Sequence, residues 1–335
     1  METRILTTSD EDIRIAAEII KAGGLVAFPT ETVYGLGANA LDTAAVQKIY
    51  AAKGRPGDNP MIVHIAAAKD LSRLTFEVTG AAKALADSFW PGPLTIVVKK
   101  KPEVPDAATG GLPTVAVRMP DDPTALKLIE WAGCPIAAPS ANISGKPSPT
   151  KPAHVISDME GKIDAIIAGG NCRVGIESTV IDLSFDIPVI LRPGMVTAKD
   201  IKAACGISAD LDRSLLSGRP FGAASDFKPK SPGMKYKHYA PRAEMTIIEG
   251  QRDKVRKEID HIKNLNEIAG KRVGVILFDE TAAKAAARDL YAKLRELDDS
   301  GADIILAGAV KDADGTGFAV MNRMLLAAGH KVLKV

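Results

Sequence analysis

The chain is 335 residues long, 46% hydrophobic and 25% charged, with 29 glycines and 21 prolines, which describes a globular protein with many turns and room for two domains and excludes a disordered or fibrous chain. A formal net charge of +2 removes any global electrostatic case for nucleic-acid or membrane binding, so an anion site has to be local. Cys134, Cys172 and Cys205 are far apart and have no Cys-x-x-Cys spacing, which argues against a disulfide framework or structural zinc; with no signal peptide and no membrane-length apolar run, a cytoplasmic location is expected.

In chain order, apolar periodicity predicts a helix over 10–22, a strand over 25–28, a helix over 43–52, a strand over 61–65 and a helix over 80–88. Strands follow at 94–98 and 115–118. A helix over 123–131 has Asp122 as N-cap and Pro123 at its first position, and strands are expected at 136–138, 165–168, 178–182 and 189–191. This alternation reads as an α/β domain with a mixed sheet. From 217 to 242 the pattern lapses into Gly, Pro, Ser and Lys, with Pro229, Pro232 and Pro241 preventing a regular helix. Beyond it, strands at 245–248, 272–278 and 302–306 and helices near 253–264 and 281–297 form a small second α/β unit. The Gly-Thr-Gly at 315–317 lacks the third glycine of a dinucleotide fingerprint and carries little weight.

The stretch 53–64, Lys-Gly-Arg-Pro-Gly-Asp-Asn-Pro-Met-Ile-Val-His, puts Lys53 and Arg55 on a Gly/Pro-braced turn directly before a strand. A mobile point charge and a planar fork of donors can cradle phosphates, although a lone Lys-x-Arg reads far more readily as a solvated turn. Five further segments place polar groups among Gly and Pro at strand ends: Phe-Pro-Thr-Glu-Thr-Val-Tyr-Gly-Leu-Gly (28–37), Phe-Trp-Pro-Gly-Pro-Leu-Thr (89–95), Thr-Val-Ala-Val-Arg-Met-Pro (114–120), Ala-Pro-Ser-Ala-Asn-Ile-Ser-Gly-Lys-Pro-Ser-Pro-Thr (138–150) and Val-Gly-Ile-Glu-Ser-Thr-Val-Ile-Asp (174–182). Each alone reads as a turn, an aromatic plug or a cap.

In this order and spacing the six segments resemble the threonylcarbamoyl-AMP synthase family, whose catalytic part is the YrdC-type domain. The resemblance covers roughly the first two hundred residues, and the remainder resembles the longer, two-domain members. It implies an α/β YrdC-like domain with a twisted mixed sheet and flanking helices over 1–205, a linker and active-site lid over 206–243, and a small Rossmann-like α/β domain over 244–335. It further implies synthesis of L-threonylcarbamoyl-adenylate and pyrophosphate from L-threonine, bicarbonate and ATP, a nucleotidyl transfer that prepares the N6-threonylcarbamoyladenosine modification of tRNA. Such chemistry runs on positioning and charge neutralisation and needs no covalent nucleophile. Mg²⁺ would arrive with ATP and no organic cofactor is implied.

Carried over by motif, the resemblance makes Lys53, Arg55, Ser140 and Asn142 the catalytic, nucleotide-handling core. ATP would be bound by Arg55, Asn59, Thr114, Ser140, Ser148, Arg192 and Tyr236, and L-threonine by Thr32, His64, Arg118, Ala138 and Ser178, with Arg118 pairing with the amino acid's carboxylate. Thr32 and Ala138 are also readable as packing residues, and His64 as a satisfied polar group. The stretch 234–241, Met-Lys-Tyr-Lys-His-Tyr-Ala-Pro, is expected to fold over the site with Tyr236 near the nucleotide; a plain tether is the alternative. The resemblance also implies a downstream tRNA-modifying transferase complex as partner, with a weak contact to tRNA among the expectations and none with a membrane. Two rivals remain. A direct RNA-binding surface would sit poorly with the near-neutral charge, and a carbamoyl-transfer enzyme of the hydrogenase-maturation type would carry paired-cysteine zinc motifs that this sequence lacks.

Overall fold

Helix positions follow from caps and apolar spacing. In this computed structural model, which describes residues 2–216, 238–279, 281–311 and 315–335, α1 (Asp10–Lys21) starts where the Ser9 side chain accepts from the backbone N–H of Asp12, carries three acids in its first turn and buries Ile13, Ala16, Ala17 and Ile20 on one stripe. Helix α2 (Thr43–Lys53) is capped by Asp42 and ends at Gly54, whose φ of 60° is the left-handed conformation that closes helices. Lys53 is therefore the last helical residue rather than part of the basic turn. It sits at the helix end where the dipole favours a cation. Helices α3 (Gly80–Phe89), α4 (Asp106–Thr109), α5 (Pro123–Ala132), α6 (Pro152–Met159), α7 (Ala198–Cys205) and α8 (Arg213–Leu216) complete the first two-thirds of the chain, α5 having the expected Asp122 cap and leading proline.

Eleven strands form one mixed sheet among the described residues: β1 (Arg4–Leu6), β2 (Val26–Phe28), β3 (Gly35–Asn39), β4 (Ile62–His64), β5 (Leu94–Lys99), β6 (Thr114–Arg118), β7 (Ile136–Ala137), β8 (Ala165–Ile167), β9 (Thr179–Asp182), β10 (Val189–Arg192) and β11 (Asp210–Leu211). Their order is β1-β8-β2-β3-β7-β4-β6-β5-β9-β10-β11. Four of these elements have no strong sequence signal. β1, three residues long, is too short to show a period; β3, Gly-Leu-Gly-Ala-Asn, is buried almost throughout and does not alternate. α6 and α7 run for eight residues each, about two turns, too few for a helical period to stand out. β11 pairs parallel to β10, so residues 210–211 of the expected linker belong to the first sheet.

The rest of the chain forms an all-parallel sheet of β12 (Glu244–Glu249), β13 (Val273–Ile276), β14 (Ile304–Gly308) and β15 (Val332–Lys334), ordered β13-β14-β12-β15. Helix α9 (Arg252–Ile268) covers one face through Val255 and Ile259, while α10 (Ala283–Asp299) and α11 (Thr316–Ala327) cover the other. The two units share a core. Val33 and Ile176 of the first pack in one cluster with Tyr239, Leu290, Tyr291 and Leu294. The backbone of α10 lies so close to the 174–176 loop that a Cβ on Gly175, whose φ is +83°, would fall 2.3 Å from Cα of Arg288, so only glycine fits there.

Candidate active site

Strand register assembles the site on one sheet face. His64 pairs with Arg118 across β4 and β6, Arg118 with Thr95 across β6 and β5, Thr95 with Val180 across β5 and β9, and Val180 with Arg192 across β9 and β10. Paired residues project to the same side of a sheet, so one row carries His64, Arg118, Thr95 and Arg192. Ile62 and His64 are an i, i+2 pair and line the same pocket, whereas Val63 between them and Val117 just before Arg118 pack into the core behind; Ala138, Pro139 and Ser140 all line the pocket. The pocket is closed by the 30–35 loop, by Arg55 of the basic turn, and by His238 and Tyr239.

Its cations are individually anchored. Arg118 is buried and lies 2.6 Å from Glu31, equally buried, as an ion pair; neither Glu31 oxygen nor Arg118 Nη2 has an aligned hydrogen-bond partner among the described residues, while Arg118 Nε donates to the Gly92 carbonyl at 3.3 Å. Arg55 donates to the carbonyls of Asn59 and Pro60 at 3.3 and 2.8 Å. Burial brings its guanidinium down to about 10, which leaves it charged at neutral pH. Arg192 donates through Nε to the Ser178 carbonyl at 3.0 Å and through Nη2 to Ser178 Oγ at 3.2 Å, and Ser178 Oγ in turn lies 2.7 Å from Thr95 Oγ1.

Lys53 is placed differently from the sequence expectation. Its Nζ donates to the backbone carbonyls of Ser140 and Asn142, burial holds its ammonium well below the ordinary lysine range, and it does not line the pocket. It ties α2 to the Ser-Ala-Asn loop. Within that loop Ser140 Oγ donates to Asn142 Oδ1 at 2.5 Å, and Asn142 Nδ2 donates to the carbonyls of Ile143 and Lys146. Thr32, His64, Ala138, Ser140, Asn142, Arg55, Arg118 and Arg192 all line one pocket. Ser148, Ser178 and Asn59 stand one contact away: Ser148 Oγ bonds Glu177, Ser178 holds Arg192, and Asn59 offers its carbonyl to Arg55 while its Oδ1 is buried without a partner. Thr114 opens β6, four residues from Arg118 at the far end of the strand, and is not part of the pocket wall. Tyr236 lies outside the described residues.

Sequence reasoning quoted the loops containing Glu31 and Glu177 without singling out either carboxylate. Glu177 accepts from Ser148 Oγ at 2.6 Å, from the Tyr291 hydroxyl at 3.0 Å and from Arg323 Nε at 2.9 Å. Burial by itself would raise the Glu177 carboxyl, but Arg323 and Arg192 bring it down to about 2. His64 is taken down to about 3 by burial and then by Arg118, so the ring is neutral and a weak base. Thus the pocket has a cation facing a carboxylate at one end, further cations at the other, and hydroxyl and amide groups between. Among the described residues no group of three or more His, Cys, Asp or Glu is placed to hold a metal ion, and no helix is long and apolar enough to cross a membrane.

The fold and site define a YrdC-type domain carrying a second α/β unit. Two family models account for nearly all of the chain: one described as Telomere recombination, from the Sua5, YciO and YrdC group, over residues 18–194, and one described as Threonylcarbamoyl-AMP synthase, C-terminal domain, over 196–329. Threonylcarbamoyl-AMP synthase of Pyrococcus abyssi is 50% identical over 96% of this chain and 96% of its own length, and that of Bacillus subtilis 45% identical over 98% and 96%. The crystal structure of P. abyssi Sua5 complexed with L-threonine superposes with a TM-score of 0.92 at 49% identity, covering 100% of this chain and 99% of that one. The chain belongs to the threonylcarbamoyl-AMP synthase family, and it is an enzyme of that type.

Proposed function

We propose that this pocket joins L-threonine, bicarbonate and ATP into L-threonylcarbamoyl-adenylate and pyrophosphate, the activated donor for N6-threonylcarbamoyladenosine in tRNA. The observation that carries the reading is the row His64, Arg118, Thr95, Val180 and Arg192, which sets a cation for a carboxylate and a cation for phosphate on one sheet face. In this reading Arg118 takes the threonine carboxylate and Glu31 orients the amine, which attacks the carbon of carbon dioxide released from bicarbonate; the amine proton joins the hydroxide that bicarbonate gives up, so carbamate and water form. Thr32, His64, Ala138 and Ser178 shape the pocket around the amino acid, with His64 neutral throughout. A carbamate oxygen then attacks the α-phosphorus of ATP: the new bond is oxygen to phosphorus, the bond to the β-phosphate bridging oxygen breaks, and pyrophosphate leaves with the electron pair. Arg55 and Arg192 face the charge that develops on the phosphates.

Lys53 acts here by holding Ser140 and Asn142, with Ser148 and Asn59 fixing the loops behind. The assignments of Thr114 and Tyr236 to ATP remain part of the proposal on the family's motifs alone. Mg²⁺ would come bound to the triphosphate. His238 and Tyr239 line the pocket, and the Ala240 N–H donates to the Gly145 carbonyl at 2.8 Å. With them in place the cavity holds about 60 Å³, short of the ~300 Å³ at which ligand sites begin, so ATP entry requires this segment to move. The division into a catalytic domain over 1–205, a lid-bearing linker over 206–243 and a C-terminal domain over 244–335 belongs to the same proposal, with 210–211 of the linker adding an edge strand to the catalytic domain's sheet. A cytoplasmic setting, a downstream transferase complex and a weak tRNA contact belong to the same reading; three free thiols among the described residues agree with a reducing compartment. The test is pyrophosphate release from Mg-ATP with L-threonine and bicarbonate present or omitted in turn. Release that needs both, with a product of threonylcarbamoyl-adenylate mass, is expected; release with neither overturns the reading.

A further inference from the structure

The C-terminal sheet has a crevice of its own, far in sequence from the catalytic motifs. Its order is β13-β14-β12-β15, all parallel. From β12 the chain crosses through α9 to β13, and from β14 it crosses through α11 to β15, so the neighbouring strands β12 and β14 send their connections in opposite directions and onto opposite faces. Open parallel sheets bind ligands outside the carboxyl ends of their strands at such a reversal. A cavity of about 410 Å³ lies there, reaching from Gly250 after β12 to Gly308 at the end of β14. This volume is within the range of small-molecule sites.

The lining has two chemistries. Val255, Leu277, Phe278 and Val310 supply an apolar and aromatic wall, and Arg252, Arg256 and Lys311 supply cations. Neither Arg252 nor Arg256 makes an ion pair among the described residues, although Asp279 lies within electrostatic reach of Arg252. Glu249, the one carboxylate in the wall among the described residues, is answered by Lys334 at 3.6 Å. Arg252 and Lys254 flank Asp253 in the first turn of α9, Arg256 lies in the next, and the cap residue Gln251 makes no side-chain hydrogen bond there. Two cations against one acid leave this N-terminus net positive, which opposes the dipole. A bound anion would offset that cost while accepting from the uncapped N–H groups.

We propose that this crevice binds a phosphorylated organic molecule of mononucleotide size, its phosphate on Arg252, Arg256 and the α9 N-terminus and its planar part against Phe278. The proposal does not depend on the reaction assigned to the catalytic pocket. Hydrogen–deuterium exchange of the full chain, read in peptides covering 249–256, 277–279 and 308–311, tests it with AMP and with inorganic phosphate at equal concentration. At tenfold excess over its dissociation constant AMP should slow opening in these peptides by about tenfold, and phosphate should give much less. The double variant Arg252→Gln with Arg256→Gln should lose that protection while retaining wild-type pyrophosphate release, which also certifies its fold. Equal protection by phosphate alone would overturn the organic ligand. No protection by either, or protection that survives in the double variant, would overturn the site.

Discussion

Arg323 Nε donates to Glu177 Oε2 at 2.9 Å, joining an arginine of α11 that is 0% exposed to a carboxylate in the wall of the catalytic pocket. The same carboxylate holds Ser148 and faces Arg192, so the C-terminal unit fixes a charge inside the first unit's site. Removing one partner of a buried pair strands the other and costs about 3–5 kcal/mol. Arg323→Met should therefore lower unfolding stability in urea by about that amount and reduce pyrophosphate release. Arg323→Lys should recover part of both, and Arg323→Met paired with Glu177→Gln should recover most of the stability. A single variant of wild-type stability would show that the pair contributes nothing.

In the proposed reading Arg118 separates binding of the amino acid from binding of the nucleotide. Its guanidinium is 2.6 Å from Glu31, and Arg55 and Arg192 line the same pocket away from that pair. Lysine keeps the charge but loses the planar fork. Arg118→Lys is expected to raise KM for L-threonine by about 10- to 100-fold, a loss of about 1.4–2.7 kcal/mol, with KM for ATP nearly unchanged. Steady-state kinetics with each substrate varied in turn decides this; equal rises in both constants would place Arg118 outside the threonine subsite.

Much of this arrangement is legible in sequence because the site is carried by strands whose two-residue period shows. Met61 to Ile65 and Val115 to Arg118 stand out as apolar runs, and each carries near its end the one polar residue that enters the pocket, His64 and Arg118. Lys53 belongs to the end of α2 and not to the basic turn, a difference of one residue that periodicity does not resolve: Gly54 closes the helix after it, and its Nζ meets the carbonyls of Ser140 and Asn142. Glu177 and Arg323 are 146 positions apart, and no local pattern announces a pair formed only when α11 docks. The charge of Glu31 was equally silent, because one acid in a polar loop looks solvated until Arg118 is placed beside it.

Buried imidazoles shape the response to acid, and half-buried His154, taken down to about 4 by burial first, adds to the effect of the two deepest. His64 and His238 are each brought down to about 3, by burial first and then by Arg118 and Arg55 respectively. Their folded values lie below the ordinary value near 6.5, so below that pH the unfolded chain binds more protons than the folded one. Stability they favour is complete above about 6.5 and lost as pH falls toward 3, at about 1.4 kcal/mol per pH unit for each ring. Glu177 adds its own loss only between about 4.5 and 2. Urea unfolding of His64→Gln between pH 6 and 5 should show a slope shallower by about 1.4 kcal/mol per unit; an unchanged slope would mean that His64 is already charged in the folded protein.

Gly175 ties the C-terminal unit to the loop that carries Glu31 and Thr32. The N–H groups of Val174 and Gly175 donate to the carbonyls of Glu31 and Thr32 at 2.8 and 3.1 Å, while α10 presses on the same loop from behind. A Cβ at Gly175 would lie 2.3 Å from Cα of Arg288 and 2.5 Å from the Ala287 carbonyl oxygen, backbone atoms that cannot rotate away. Gly206 is the matched control, because its φ of +69° is similar and nothing lies within 4 Å of its Cβ position. Both alanine variants bear the left-handed strain of about 1 kcal/mol. Only Gly175→Ala should add the cost of forcing α10 outward, about 1–3 kcal/mol more, and only it should raise KM for L-threonine by displacing Glu31 and Thr32. Equal stability and equal KM in the two variants would show that α10 yields freely and that its seat on the loop does not position the site.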